Sequence, residues 1–92
     1  MAYGVGSSKV PAYLKFIHSH TCLVHATGPV HAHHLVARGM GSSQKGSDYT
    51  CVPLCAMCHN EIHTLGLRKF EEKYRANLYK DALTLIIEWL QR

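Results

Sequence analysis

The amino-acid sequence predicts an α+β domain stapled by bound metal, laid out as helix, strand, Gly-rich loop, strand and three further helices. Three observations carry that expectation. Apolar residues recur at helical spacing in segments bounded by Pro11, Gly66 and Asn77, residues that start or stop helices. Two short segments around a Gly-rich stretch have the composition of strands. Cys22 with His25, and Cys55 with Cys58, form two pairs of metal-ligating residues with two residues inside each pair.

A chain of 92 residues holds one hydrophobic core, so the expected organisation is a leader over 1–10 and a single domain over 11–92. A domain this small buries a modest share of its surface, and a metal site is a common supplement to such a core.

The leader is Gly- and Ser-rich without periodicity. Pro11 suits the first turn of a helix, and Tyr13, Leu14, Phe16 and Ile17 follow at helical spacing up to His18 or His20. After the break at Gly28 and Pro29, the segment from Val30 to Val36 reads as a short strand. Gly39, Gly41 and Gly46 mark the next stretch as a loop. Tyr49 to Leu54 alternates well enough for a second strand, ended by Pro53 and the cysteines. From Ala56 a helix runs to Leu65 and stops at Gly66. Leu67, Phe70 and Tyr74 mark a second helix, and Asn77 caps a third from Leu78 to Gln91 whose stripe of Leu78, Ala82, Leu85, Ile86, Trp89 and Leu90 reads as a core face.

Ten Lys and Arg against six Asp and Glu give a net charge of +4, which suits an anionic partner without naming one. No segment approaches the roughly 18 apolar residues that span a bilayer, and the N-terminal ten residues lack the apolar core of a signal peptide. The expectation is a cytoplasmic protein with no membrane partner. In a reducing compartment, cysteines interleaved with histidines read as metal ligands before disulfides.

Two residues inside a ligand pair let one tight turn aim two side chains at one ion. Cys22, His25, Cys55 and Cys58 together meet the tetrahedral demand of Zn²⁺ and leave no open position, which makes the site structural. Cys51 is the remaining thiol; it reads as a buried strand residue, with replacement of His25 at the zinc as the alternative. Past the second pair, His59 and His63 lie one helical turn apart and can grip one metal, while His33 and His34 sit at the end of the first strand. Adjacent strand residues point to opposite faces, so His33 and His34 cannot both face one ion unless the strand bends. His31 shares a face with His33 and is the alternative ligand. His18 and His20 read as exposed helix-end residues.

These residues resemble the HNH family, also called the ββα-metal or His-Me finger nucleases, over Cys22 to about Phe70. Ala32-His33-His34-Leu35 is similar to the first element of the motif, and Pro53-Leu54-Cys55-Ala56-Met57-Cys58-His59 with His63 to a zinc-knuckle version of the last. Met40-Gly41, Lys45 and Ser47-Asp48 are further similar to small phage and prophage members, including the recombination-enhancement nucleases. The resemblance implies a ββα-metal core over about 22–66 with C-terminal helices over 67–92, and an endonuclease that hydrolyses DNA with a divalent cation. It implies His34 as the general base, and His33, His59 and His63 as ligands of a catalytic Mg²⁺ or Mn²⁺, with Zn²⁺ or Ni²⁺ as alternatives. The middle Asn of the family, which braces the loop backbone, is missing; Asp48 is the nearest substitute, with Thr50 as the alternative.

Phosphodiester hydrolysis needs a deprotonated water opposite the leaving oxygen and positive charge at the phosphate, and a neutral imidazole suits the first task near pH 7. Arg38 and Lys45 in the loop, with Arg68, Lys69, Lys73 and Arg75 after the motif, are candidate phosphate contacts, although Glu71 and Glu72 interrupt them. The alternative function is a non-catalytic, zinc-dependent nucleic-acid-binding module, which has no use for His33, His34, His59 and His63 together. A metal-stapled protein-interaction domain would instead show an exposed apolar stripe on its last helix.

Overall fold

The computed structural model describes residues 9–35 and 47–92. The expected leader as far as residue 8, Val36 at the end of the expected first strand, Arg38 and Lys45 lie outside the described residues. Among those described, four helices surround a two-stranded antiparallel sheet in an α+β arrangement: α1 (Pro11–His18), β1 (His31–His34), a 3₁₀ turn (Asp48–Thr50), β2 (Cys51–Leu54), α2 (Ala56–Leu65), α3 (Leu67–Tyr74) and α4 (Leu78–Gln91). None of these helices is long and apolar enough to cross a membrane.

Pro11 occupies the first turn of α1, where its missing N–H leaves nothing unsatisfied, and Tyr13 and Ile17, four residues apart, are the face it buries. Gly66 ends α2 at φ 85°, a conformation that favours glycine, and its N–H donates to the Ile62 carbonyl. The Asn77 side chain accepts from the Lys80 N–H and caps α4, while Glu71 accepts from the Leu78 N–H, a second free donor of the same helix end.

The register pairs His31 with Leu54, Ala32 with Pro53, His33 with Val52 and His34 with Cys51. β2 is buried along its whole length and forms the centre of the core. Tyr13 and Ile17 of α1, Ile62 of α2, Phe70 of α3, and Leu78, Ala82 and Leu85 of α4 complete that core. Trp89 packs edge-on against Tyr13 at 5.3 Å between ring centroids and binds the end of α4 to α1.

The second strand starts two residues later than its alternation suggests. Tyr49 and Thr50 belong to the 3₁₀ turn, because Ser47 accepts from the Tyr49 N–H and the Thr50 hydroxyl donates to the Ser47 carbonyl at 2.6 Å. Local side-chain bonds of this kind compete with a strand ladder. The stripe expected on α4 is only partly a core face: Leu78, Ala82 and Leu85 are buried, whereas Leu90 is exposed, together with Tyr79, Leu83 and Ile87 on the adjoining side of the helix.

Candidate functional site

Cys22, His25, Cys55 and Cys58 converge, with one donor atom of each within 4.8 Å of the others. His25 Nδ1 lies 3.2 Å from the Cys58 sulfur and 3.6 Å from that of Cys55. Bonds near 2.3 Å to sulfur and 2.0 to 2.1 Å to nitrogen in a tetrahedron hold such donors about 3.3 to 3.8 Å apart, so the cluster fits a structural zinc site. The first pair sits on a tight turn: the Ala26 N–H donates to the Cys22 carbonyl, the Val24 N–H reaches the Cys22 sulfur, and Ala26 adopts φ 53°. The second pair opens α2, with Cys55 at its N-cap and Cys58 in its first turn.

Two thiols of the cluster are shifted in opposite directions. Burial, then the Cys55 and Cys22 sulfurs, push the Cys58 thiol up to about 12. Burial opposes ionisation of Cys22 as well, but hydrogen bonds from the backbone at Cys55, His25 and Val24 outweigh it and bring that thiol down to about 6. Tyr74 stacks edge-on against His25 at 6.0 Å and donates its hydroxyl to Glu61, which holds the imidazole from behind. Cys51 does not join this cluster. His25 fills the fourth position, and Cys51 faces His34 across the sheet.

A second group forms beside it. Cys58 and Ile62 are the buried face of α2, so His59 and His63, one residue further round the helix, fall on the row that meets β1. There they approach His33, with ring centroids 5.2 Å from His33 to each and 4.8 Å from His59 to His63. His59 Nε2 and His63 Nε2 are 3.1 Å apart, and the three side chains could hold a metal ion. Burial first, then the neighbouring His59, His63 and His34, bring His33 down to about 4; burial, His63 and His31 lower His59. Both rings are therefore neutral near pH 7, the state that ligates a cation.

His31 stands outside this trio. Its Nδ1 shares a 2.8 Å hydrogen bond with His59 Nδ1, on the opposite side of the ring from His63. It is placed to orient His59 as an outer partner.

His34 points away from the trio, as strand alternation requires. Its Nε2 donates to Asp48 Oδ1 at 2.8 Å, and the other carboxylate oxygen, Oδ2, accepts from the Val10 N–H at 2.6 Å. Burial works to raise the Asp48 carboxyl, but the hydrogen bonds from His34 and Val10 and the charges of His34 and Lys9 outweigh it and hold the group below its ordinary range. Asp48 thus anchors the backbone before α1 and pins one nitrogen of His34, a pairing that the reading of Asp48 as a loop brace did not contain. Its signal is long-range, since 14 residues separate the partners.

Arg68, Lys69, Lys73 and Arg75 are exposed on and just after α3. Glu61 on α2 pairs with Lys73, so a phosphate would compete for that ammonium. Glu71 is turned toward the start of α4. His18 ends α1 and is exposed as expected, whereas His20 lies two residues beyond the helix, is half-buried and bonds Glu88 at 2.9 Å.

The fold and its clusters define a small α+β domain with a Cys/His centre that fits structural zinc and a separate histidine-rich site. A family model described as "Protein of unknown function (DUF968)" matches residues 6–88, and the chain belongs to that family. No curated protein and no solved structure shows significant similarity to it.

Proposed function

We propose that this protein is a divalent-metal-dependent endonuclease of the HNH type, hydrolysing DNA phosphodiester bonds. One observation carries the reading. His33, His59 and His63 make a cluster of nitrogen donors, and the next residue of β1, His34, is held by Asp48 with its Nδ1 left over. That arrangement meets the two demands of the chemistry with separate groups. A divalent cation held by His33, His59 and His63 would supply positive charge to the phosphate under attack. His34 performs the proton transfer: with its Nε2 proton committed to Asp48, Nδ1 carries the lone pair and accepts a proton from water as the water oxygen bonds to phosphorus. The bond to the 3′ oxygen breaks and that oxygen takes a proton from solvent, leaving a 5′ phosphate and a 3′ hydroxyl.

Zinc at Cys22, His25, Cys55 and Cys58 ties the start of α2 to the turn before β1, and so sets the distance between His59 and His63 on one element and His33 on the other. Arg68, Lys69, Lys73 and Arg75 give phosphate contacts without sequence selectivity. The exposed apolar side of α4 is what a protein-interaction domain would present, but it leaves the histidine site without a use.

Incubation of the purified protein with supercoiled plasmid tests the reading. Conversion to open circles that requires Mg²⁺ or Mn²⁺ and stops with EDTA is expected; intact plasmid under every metal condition would contradict it.

A further inference from the structure

Cys51 is the one thiol outside the zinc-fitting cluster, and the fold gives it specific company. The register sets it directly opposite His34, so both side chains leave the same face of the sheet. Asp48 reaches that face from the 3₁₀ turn. One donor atom from each of His34, Asp48 and Cys51 lies within 4.8 Å of the others. Cys51 and Asp48 are buried, while the His34 side chain keeps 31% of its exposure and opens the group to solvent.

We propose that His34, Asp48 and Cys51 form a further cation site, selective for thiophilic ions such as Zn²⁺ and Co²⁺, whose occupation withdraws His34 from proton transfer. Selectivity follows from the donors. Imidazole, carboxylate and thiolate suit a four-coordinate borderline-soft ion with a water in the last position. Mg²⁺ requires six oxygen ligands in an octahedron and has little affinity for a thiolate.

The protons balance as follows. The incoming dication displaces the Cys51 thiol proton to solvent, and the resulting thiolate and the Asp48 carboxylate together neutralise the ion. His34 ligates through Nε2, the nitrogen already facing Asp48. A neutral imidazole keeps one ring proton, which must then reside on Nδ1. The nitrogen that would take a proton from water is now a donor, and the base is switched off. Burial and the Asp48 charge keep the Cys51 thiol protonated without a cation, with its pKa raised to about 12, so the resting state leaves the His34–Asp48 bond intact.

The loss of function depends on His34 acting as the base; the cation site does not. Its test is spectroscopic. Protein carrying one equivalent of zinc at Cys22, His25, Cys55 and Cys58 is titrated with Co²⁺, and thiolate-to-cobalt charge-transfer absorption is recorded. The His33, His59 and His63 cluster has only nitrogen donors and contributes none. A rising band is expected in the wild type and in His63→Ala, absent in Cys51→Ala and Cys51→Ser, and needing at least about tenfold more Co²⁺ in Asp48→Asn. No band in the wild type, or one that persists in both Cys51 variants through exchange at the zinc cluster, overturns the site. In the nicking assay, added Zn²⁺ should suppress the Mg²⁺-supported rate at concentrations at least about tenfold lower in the wild type than in Cys51→Ala. Equal sensitivity would overturn the switch. Absence of nicking in any protein would instead overturn the nuclease reading and leave the cobalt result standing.

Discussion

Replacing Asp48 by Asn separates the stability of the His34 site from its chemistry, because the two oxygens of Asp48 have different partners. In the wild type both accept, one from His34 Nε2–H and one from the Val10 N–H. An amide offers one acceptor and one donor. If its oxygen stays on His34, its NH₂ opposes the Val10 N–H, and two donors face each other in a site that is 7% exposed; an unsatisfied buried donor costs about 1 to 3 kcal/mol. If the amide turns round, its oxygen takes Val10 and its NH₂ donates to His34 Nε2. Both bonds survive, but the His34 proton must move to Nδ1. The second arrangement wins, so stability should fall by only about 1 kcal/mol, the difference between a charge-assisted and a neutral hydrogen bond. Cleavage should fall by about 10²-fold or more, as when a general base is lost. Denaturant melts and single-turnover cleavage of a duplex oligonucleotide measure the two effects, and nitrogen NMR of the His34 ring reads the tautomer. A folded Asp48→Asn protein that cleaves within about threefold of wild type would refute the reasoning. The carboxylate also has a pH signature. Its folded pKa lies below the ordinary 3.8, so its contribution to stability is present above that value and is lost as pH falls through the lower folded value. The stability difference between wild type and Asp48→Asn should shrink over that acid window.

The structure sets three further expectations. Cys58→Ser should remove zinc and the cooperative fold together, because it breaks a closed donor set that joins two elements, whereas Cys51→Ser should keep both; zinc analysis beside circular dichroism decides this. Arg75 ends α3 in the left-handed conformation at φ 53°, which disfavours a residue with a Cβ. Arg75→Gly should therefore stabilise by about 1 kcal/mol, or roughly 4 to 8 °C in a chain of this size, by calorimetry; an unchanged or lower Tm would contradict it. Affinity for unrelated DNA duplexes should fall steeply with added salt, since each neutralised phosphate releases counterions, and a salt-independent, sequence-selective profile would contradict the role given to Arg68 and Lys69.

Much of this architecture is written in local signals. Pro11, Gly66 and Asn77 act through backbone preferences that hold wherever they occur, and the helix boundaries they suggest agree with the structure. The zinc-fitting cluster was legible because each half is a short turn with two ligands. Strand alternation likewise foretold that His33 and His34 would serve different faces. What escaped the sequence depends on register and long-range packing. Nothing local places Cys51 opposite His34, or aims Asp48 at His34 and Val10. The 3₁₀ turn replaced two strand residues because the Ser47 and Thr50 side chains supply their own hydrogen bonds, which hydrophobic alternation cannot register. Similarly, the apolar arc of α4 exceeds what the core covers, and only the position of α1 and β2 decides that Leu85 is buried and Leu83 exposed.

The division of labour between the two faces of β1 is the centre of the account, and one paired measurement tests it most directly: single-turnover cleavage and calorimetric Mn²⁺ titration of zinc-loaded wild type, His34→Ala and His63→Ala. Loss of His34 should lower the cleavage rate by about 10²-fold or more while Mn²⁺ affinity stays at the wild-type value. Loss of His63 should weaken Mn²⁺ binding, with part of the rate returning as Mn²⁺ is raised. Wild-type cleavage by His34→Ala, or Mn²⁺ binding undiminished in His63→Ala, would contradict it.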